Sequence, residues 1–174
     1  MLSWGTVEGV AAVPIELFRI DDRLIHGQVV VGWGQPLDIG FIVLVDDDVA
    51  TSDWEQELYR LGVPPGMAVH FDTVAQAVER FASYRDDRRA GILLTKDIET
   101  MQRLSVQLAE LRCINLGGLH YSAGRVQKLR YVFLTGDEER VLRDLAGRGV
   151  AVTAQDVPAA RPVPLDALLA GRGG

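Results

Sequence analysis

The stretch from Arg19 to Val29, RIDDRLIHGQV, concentrates two guanidinium groups, two adjacent carboxylates and one imidazole, His26, with Gly27 directly behind it. Neutral imidazole is a nucleophile near its ordinary pKa of about 6.5, and it can carry a phosphoryl group on nitrogen without a metal or an external cofactor. Arg19 and Arg23 could supply the forked donors that phosphate oxygens require. Asp21 or Asp22 could then orient an arginine or the imidazole. Each residue also has a plainer role: a histidine in a loop is often merely solvated, aspartates start turns and cap helices, and arginines pair with them at the surface. Spacing alone leaves both readings open.

The elements on either side sharpen the first reading. Glu16 to Ile20 reads as a strand, and Val29, Val30 and Trp33 follow at helix-compatible spacing. A strand-to-helix turn leaves free N–H groups at Gly27 and the start of the helix, and those groups together with the helix dipole favour an anion beside them. A second segment, INLGGLHYSAGRVQ from Ile114 to Gln127, carries the pair Gly117-Gly118. This pair suits either a nest of N–H groups close to a phosphorylated imidazole or a turn that needs positive φ. His120, flanked by Leu119 and Tyr121, reads as a structural or rim residue, and His70 falls within a predicted strand. The acidic triple Asp46 to Asp48 reads as a capped, solvated loop in preference to a magnesium site. No strand is followed by GxGxxG, so the dinucleotide fingerprint is absent.

The run RIDDRLIHGQVVVGW resembles the phosphorylation-site segment of the IIB subunits of the mannose, fructose and sorbose class of the bacterial sugar phosphotransferase system. The second segment is similar to that family's glycine pair followed by an aromatic, a glycine and a basic residue. The likeness runs from about Ile15 into the C-terminal region. It implies a phosphotransferase in which His26 accepts a phosphoryl group from a IIA protein or domain and passes it to a sugar presented by IIC and IID membrane subunits. On the resemblance and the geometry together, Arg23 and Arg19 clamp oxygens and Asp21 orients, with Gly27, Gln28, Gly117 and Gly118 lining the phosphate. No metal or cofactor is implied. The expected location is cytoplasmic, at the inner membrane only through partner subunits, and self-association is left open. The alternatives are a regulator that reports phosphorylation state without phosphorylating sugar, and an inactive α/β ligand-binding module.

Composition agrees with that class. A chain of 174 residues, 48% apolar and 24% charged, can bury one sizeable core. We expect one domain over residues 14–170, an extension of open character over 1–13, and a frayed tail over 171–174. A net charge of −6 argues against a nonspecific nucleic-acid binder. The single Cys113 cannot form an internal disulfide and has no metal-ligand neighbours, which fits a reducing cytoplasm and a buried thiol. No apolar run approaches the roughly 20 residues of a membrane span, and the opening segment lacks the basic leader and long apolar core of a signal peptide.

Along the chain, strands are expected at 41–45, 67–71, 91–95, 112–116, 130–134 and 150–157, in addition to the first. Helices between them carry Trp54, Leu58 and Leu61, then Val74, Ala77, Val78 and Phe81, then Met101, Leu104, Leu108 and Leu111, then Val141, Leu142, Leu145 and Ala146. Ser52 with Glu55 reads as a capping box, and Asp72 and Asp97 as N-caps. A short helix closes the chain near Leu165 to Leu169. Strand–helix alternation of this kind specifies an α/β, three-layer open, mainly parallel sheet of about seven strands with helices on both faces. Ligands in such sheets sit past the carboxyl ends of the strands.

Overall fold

The uninterrupted apolar runs become the middle of a sheet, as strands buried on both faces must. The computed structural model describes residues 14–171, so the expected extension and all of the tail beyond Gly171 lie outside the described residues. The strands are β1 (Ile15–Ile20), β2 (Ile39–Val45), β3 (Ala68–Asp72), β4 (Ala90–Thr95), β5 (Cys113–Leu116), β6 (Val126–Leu129), β7 (Val132–Leu134), β8 (Ala151–Ala154) and β9 (Val163–Pro164). The α-helices are α1 (Asp53–Leu61), α2 (Val74–Arg85), α3 (Ile98–Gln107), α4 (Gly136–Gly147) and α5 (Leu165–Ala170). Seven strands form one sheet in the order β3-β2-β4-β1-β5-β8-β9. All neighbours run parallel except β9, which is antiparallel to β8. β1 therefore lies mid-sheet, between β4 and β5, where the chain turns from building one wing to building the other.

One face of the sheet is covered by α2, α3, α4 and α5 through Phe81, Met101, Leu104, Leu142, Leu145 and Leu168. The other is covered mainly by the segment after β1, whose Val29, Val30 and Trp33 pack on Ile42, Leu44, Ile92 and Leu94. That segment, Gln28–Trp33, is a π-helical turn where α-helical spacing was expected. Its wider turn brings Gly34 N–H to Val29 O at 2.9 Å. The hydrogen bond closes the π-turn.

Several expectations need correction. The run at 130–134 does not enter the main sheet; it pairs with β6 as a separate antiparallel hairpin. The seventh strand is β9, hidden in a proline-rich stretch; proline is tolerated there because β9 is an edge strand. α2 is capped by Thr73, not Asp72, through a reciprocal box with Gln76. Asp72 is instead buried, accepting from Tyr84 Oη at 2.6 Å and pairing with Arg80 at 2.6 Å. Ser52 precedes α1 without a side-chain cap. Leu108 and Leu111 are buried but follow the end of α3, and Ala146 is exposed. Cys113 is exposed, because strand alternation turns it away from the core that its neighbour Ile114 enters. The stripe of Trp54, Leu58 and Leu61 on α1 points outward, with none of the helix's residues fully buried.

Asp97 does cap α3, accepting from Thr100 N–H at 2.7 Å. The acidic triple is engaged as capping and pairing groups. Asp46 accepts from the N–H groups of Asp48 and Val49 and pairs with Lys96 at 2.7 Å, which raises the Lys96 pKa. Asp47 accepts from Val74 N–H and pairs with Arg103, and those bonds lower its pKa. Among the described residues no helix is long and apolar enough to cross a membrane.

Candidate functional site

β1 ends in Arg19 and Ile20 and is followed directly by Asp21; Arg19 is fully buried. Burial pulls the Arg19 pKa below the ordinary guanidinium range while Asp21 opposes the shift; arginine remains a cation under any ordinary condition. Its Nη1 donates to Asn115 Oδ1 and, at 2.9 Å, to the Gln155 carbonyl. Its Nη2 donates to Asp21 Oδ2 at 3.2 Å and to the Asp156 carbonyl at 3.3 Å. The guanidinium lies 4.9 Å from the centre of the Trp33 ring, whose Nε1 donates to the same Asp156 carbonyl at 3.1 Å. One side chain thus fastens the carboxyl ends of β1, β5 and β8. Arg19 was expected to clamp phosphoryl oxygens; it is instead an internal tie, because four of its donor directions are already filled and none faces solvent.

Asp21 is the second fully buried charge. It accepts from Arg19, from Arg23 N–H at 3.2 Å, from Arg23 Nε at 3.3 Å and from Gly118 N–H at 3.2 Å. An aspartate suits this position because its short carboxylate can bond the backbone two residues ahead and hold a turn. Leu24 takes φ +55 in that turn, the left-handed region that a non-glycine residue enters only under constraint. Its buried side chain supplies the constraint, and its carbonyl is aimed at His26 Nδ1, 2.9 Å away.

Only an N–H can bond a carbonyl, so in the neutral ring Nδ1 carries the proton and Nε2 the lone pair. Nε2 is covered, has no hydrogen-bond partner among the described residues, and lies 3.8 Å from Asp21 Oδ2. Arg19 Nε is the other buried, unpartnered side-chain polar atom among the described residues. Unsatisfied buried groups are uncommon in native folds and point to functional positions. Arg23 shares the Asp21 carboxylate with the ring, has its side chain 38% exposed, and is held by Asp21 and by Gln28 Oε1 at 2.6 Å. Of the two guanidinium groups, this is the one that can meet an incoming anion. Gln28 contributes by fixing Arg23, and Gly27 opens the π-helical turn, in which the Val29 and Val30 N–H groups both donate to His26 O at 3.0 Å.

The two sequence motifs meet here. Asp22 N–H donates to Gly118 O at 2.8 Å, and the Asp22 carboxylate accepts from His120 N–H at 2.7 Å and lies 2.7 Å from His120 Nδ1. His120 is therefore the rim residue expected, with a defined duty: it clasps the second loop to the first. Gly117 and Gly118 were expected either to show N–H groups to a phosphate or to need positive φ. Neither holds: Gly117 N–H donates to Ile20 O at 2.7 Å, Gly118 N–H goes to Asp21, and neither lies in the left-handed region. The reason for glycine is proximity. A Cβ on Gly117 would fall 2.6 Å from Asp21 Oδ2 and closer still to the Arg19 guanidinium. Arg125, the basic residue of the second motif, secures the loop by donating to His120 O and pairing with Glu138 at 2.7 Å.

Sequence reasoning gave Asn115, Gln155 and Asp156 no role, and it read Trp33 only as an apolar helix position. The available signal was Arg19 itself: a cation one residue from the end of a buried strand requires acceptors from the neighbouring strand ends. Among the described residues no group of three His, Cys, Asp or Glu is arranged to hold a metal.

Comparison with known proteins places this arrangement in a lineage. The family described as PTS system sorbose subfamily IIB component matches residues 15–173. The sorbose-specific EIIB component of Klebsiella pneumoniae is 35% identical over 139 residues, covering 78% of this chain and 83% of that protein. The N-acetylgalactosamine-specific phosphotransferase enzyme IIB component 1 of Escherichia coli strain K12 is 32% identical over 145 residues, covering 83% of this chain and 91% of that one. The crystal structure of the IIBSor domain of the Klebsiella pneumoniae sorbose permease superposes with TM-score 0.81 at 29% identity, covering 89% of this chain and 96% of that domain. Since the match spans both loops and nearly the whole sheet that carries them, the chain belongs to the sorbose subfamily of phosphotransferase-system IIB components.

Proposed function

We propose that His26 is the phosphoryl carrier of this IIB component, taking the group from a histidine of a IIA protein or domain and giving it to a sugar bound by IIC and IID membrane subunits. The observation that supports this most directly is the pairing of a loop imidazole with Arg23, a solvent-reaching guanidinium whose direction is set by Asp21 and Gln28. A ring nitrogen attacks phosphorus as the donor's P–N bond breaks; a sugar hydroxyl oxygen later attacks the same phosphorus as the bond to His26 breaks and the hydroxyl proton leaves to solvent. The transition state is loose, so the protein contributes alignment and charge. Arg23 supplies charge-assisted bonds to the moving oxygens; Asp21 orients Arg23, and the Leu24 carbonyl orients the ring. These partners would bring the protein to the cytoplasmic face of the inner membrane. The sugar is selected by the membrane subunits; the relatives are named for sorbose and N-acetylgalactosamine.

The test is to incubate the protein with labelled phosphoenolpyruvate and the upstream carriers, then map the label. An acid-labile, base-stable label confined to the peptide containing His26 is expected. Label on a serine, an aspartate or another histidine would refute the assignment.

Arg23→Lys keeps the charge and loses the fork. Removing one such charge-assisted contact from a transferring group should slow transfer about 10- to 100-fold. The thermal midpoint should hardly move, since the side chain is partly exposed. Measuring both together is decisive, because a lowered midpoint with an unchanged rate would mark Arg23 as a structural ion-pair partner.

A further inference from the structure

An amphipathic helix normally turns its apolar stripe inward, yet α1 does the opposite. Trp54, Leu58 and Leu61 are 68%, 57% and 82% exposed. They lie at positions 1, 5 and 8 of one helical face and span about 10 Å. Trp54 is at the end nearest the strand carboxyl edge. Between this stripe and the active loop runs a groove of about 340 Å³ lined by Ile25, Trp54, Glu55, Leu58 and Tyr59. Ile25 is the residue before His26, so the groove and the phosphorylation loop form one continuous surface. Contiguous exposed apolar groups that include a tryptophan are characteristic of a protein interface.

The rim of this surface is acidic. Asp53 and Glu55 have no ion pair among the described residues, the Asp48 side chain is 90% exposed at 3.8 Å from Lys96, and only Glu57 is closely matched, by Arg60 at 2.7 Å. We propose that the α1 stripe, the Ile25 groove and this rim dock basic cytoplasmic loops of the integral-membrane component that presents the sugar, an inference that rests on the phosphocarrier reading above. Cytoplasmic loops of membrane proteins carry an excess of lysine and arginine. Such a side chain can lay its stem along Leu58, stack on Trp54 and reach Glu55. A second copy of this chain fits poorly, because a twofold contact sets the two unpaired acidic rims against each other. An anionic lipid surface is repelled for the same reason. A soluble donor carries no such constraint on its charge.

The experiment compares wild type with Trp54→Ala, Leu58→Ser and the pair Asp53→Lys/Glu55→Lys. Each protein, labelled on His26 by phospho-IIA, is discharged by inverted vesicles bearing the IIC and IID subunits in a mixture of N-acetylgalactosamine, mannose and sorbose. Each variant should raise the KM of the labelled protein at discharge at least about tenfold, the effect of losing one interface hot spot. Maximal discharge rate and KM for uptake from phospho-IIA should stay within about twofold, since no reacting group is altered. Added salt should raise the wild-type KM more than that of the charge-reversed pair. Protein-free anionic vesicles should bind neither the wild type nor the two apolar-stripe variants.

Unchanged discharge in all variants would overturn the inference. So would a rise in KM for phospho-IIA instead, which would assign the stripe to the donor. A wild-type dimer in sedimentation that Trp54→Ala dissolves would overturn it in favour of self-association. A wild-type protein that takes no label would overturn the carrier reading and this one with it, whereas normal labelling with unaffected discharge removes this one alone.

Discussion

His26→Ala should abolish phosphoryl uptake completely while costing only about 1 kcal/mol of stability, the net value of one ordinary hydrogen bond. The imidazole makes a single such bond, to the Leu24 carbonyl, and it sits at the edge of the core. A shift of a few degrees in thermal midpoint is the corresponding signal. His70→Ala and His120→Ala should both retain the label. His70 lies in β3, packed edge-on against Phe41; its burial lowers its pKa, and its place in the sheet keeps it from the reacting edge. His120 secures a loop but offers Nδ1 only to Asp22. A His26 variant that still takes a full label would sink the assignment, and loss of label in His120→Ala alone would move the nucleophile to the second loop.

Arg19→Ala should be the most damaging substitution for the fold, at about 3 to 5 kcal/mol, the usual cost of stripping one partner from a buried ion pair. Asp21 would remain buried, with Arg23 as its remaining charged partner, and the Asn115 side chain and the Gln155 and Asp156 carbonyls would lose their donor together. Because the cost comes from stranded charge and not from lost volume, it should be partly recovered by neutralising the partner. Arg19→Met combined with Asp21→Asn should therefore unfold at a higher urea concentration than Arg19→Met alone, although it would not carry phosphoryl groups. If the double variant is the less stable of the two, the Arg19–Asp21 pair is not what holds the strand ends.

How far this could be read from the sequence depends on the scale at which each feature is encoded. The central strands are written as runs such as Phe41 to Val45, where burial on both faces leaves one solution, and helix starts at Asp97 and Thr135 follow from local capping chemistry. The imidazole end of the candidate site was legible as a cluster for the same reason, since His26, Arg23 and Asp21 lie within six residues. Its supporting end was not. Asn115 and the carbonyls of Gln155 and Asp156 are 96 to 137 residues from Arg19, and only the strand order brings them together. Likewise, the apolar spacing of α1 shows an amphipathic helix but not which way it faces. β9 was missed because two residues beside proline carry no periodicity.

The resting position of His26 has a bearing on what can reach the unphosphorylated ring. With Nδ1 tied to Leu24 and Nε2 covered, neither nitrogen presents a lone pair to solvent. A small electrophile that diffuses past meets a closed ring. Opening it requires only that one hydrogen bond be exchanged, about 0.5 to 1.5 kcal/mol, which a protein partner's contact energy can readily offset. A latch of that size lowers the open fraction only about 2- to 13-fold, so it slows chance encounters modestly and costs productive turnover little. That modest protection resides in a backbone carbonyl whose direction is set by Leu24 in the left-handed region.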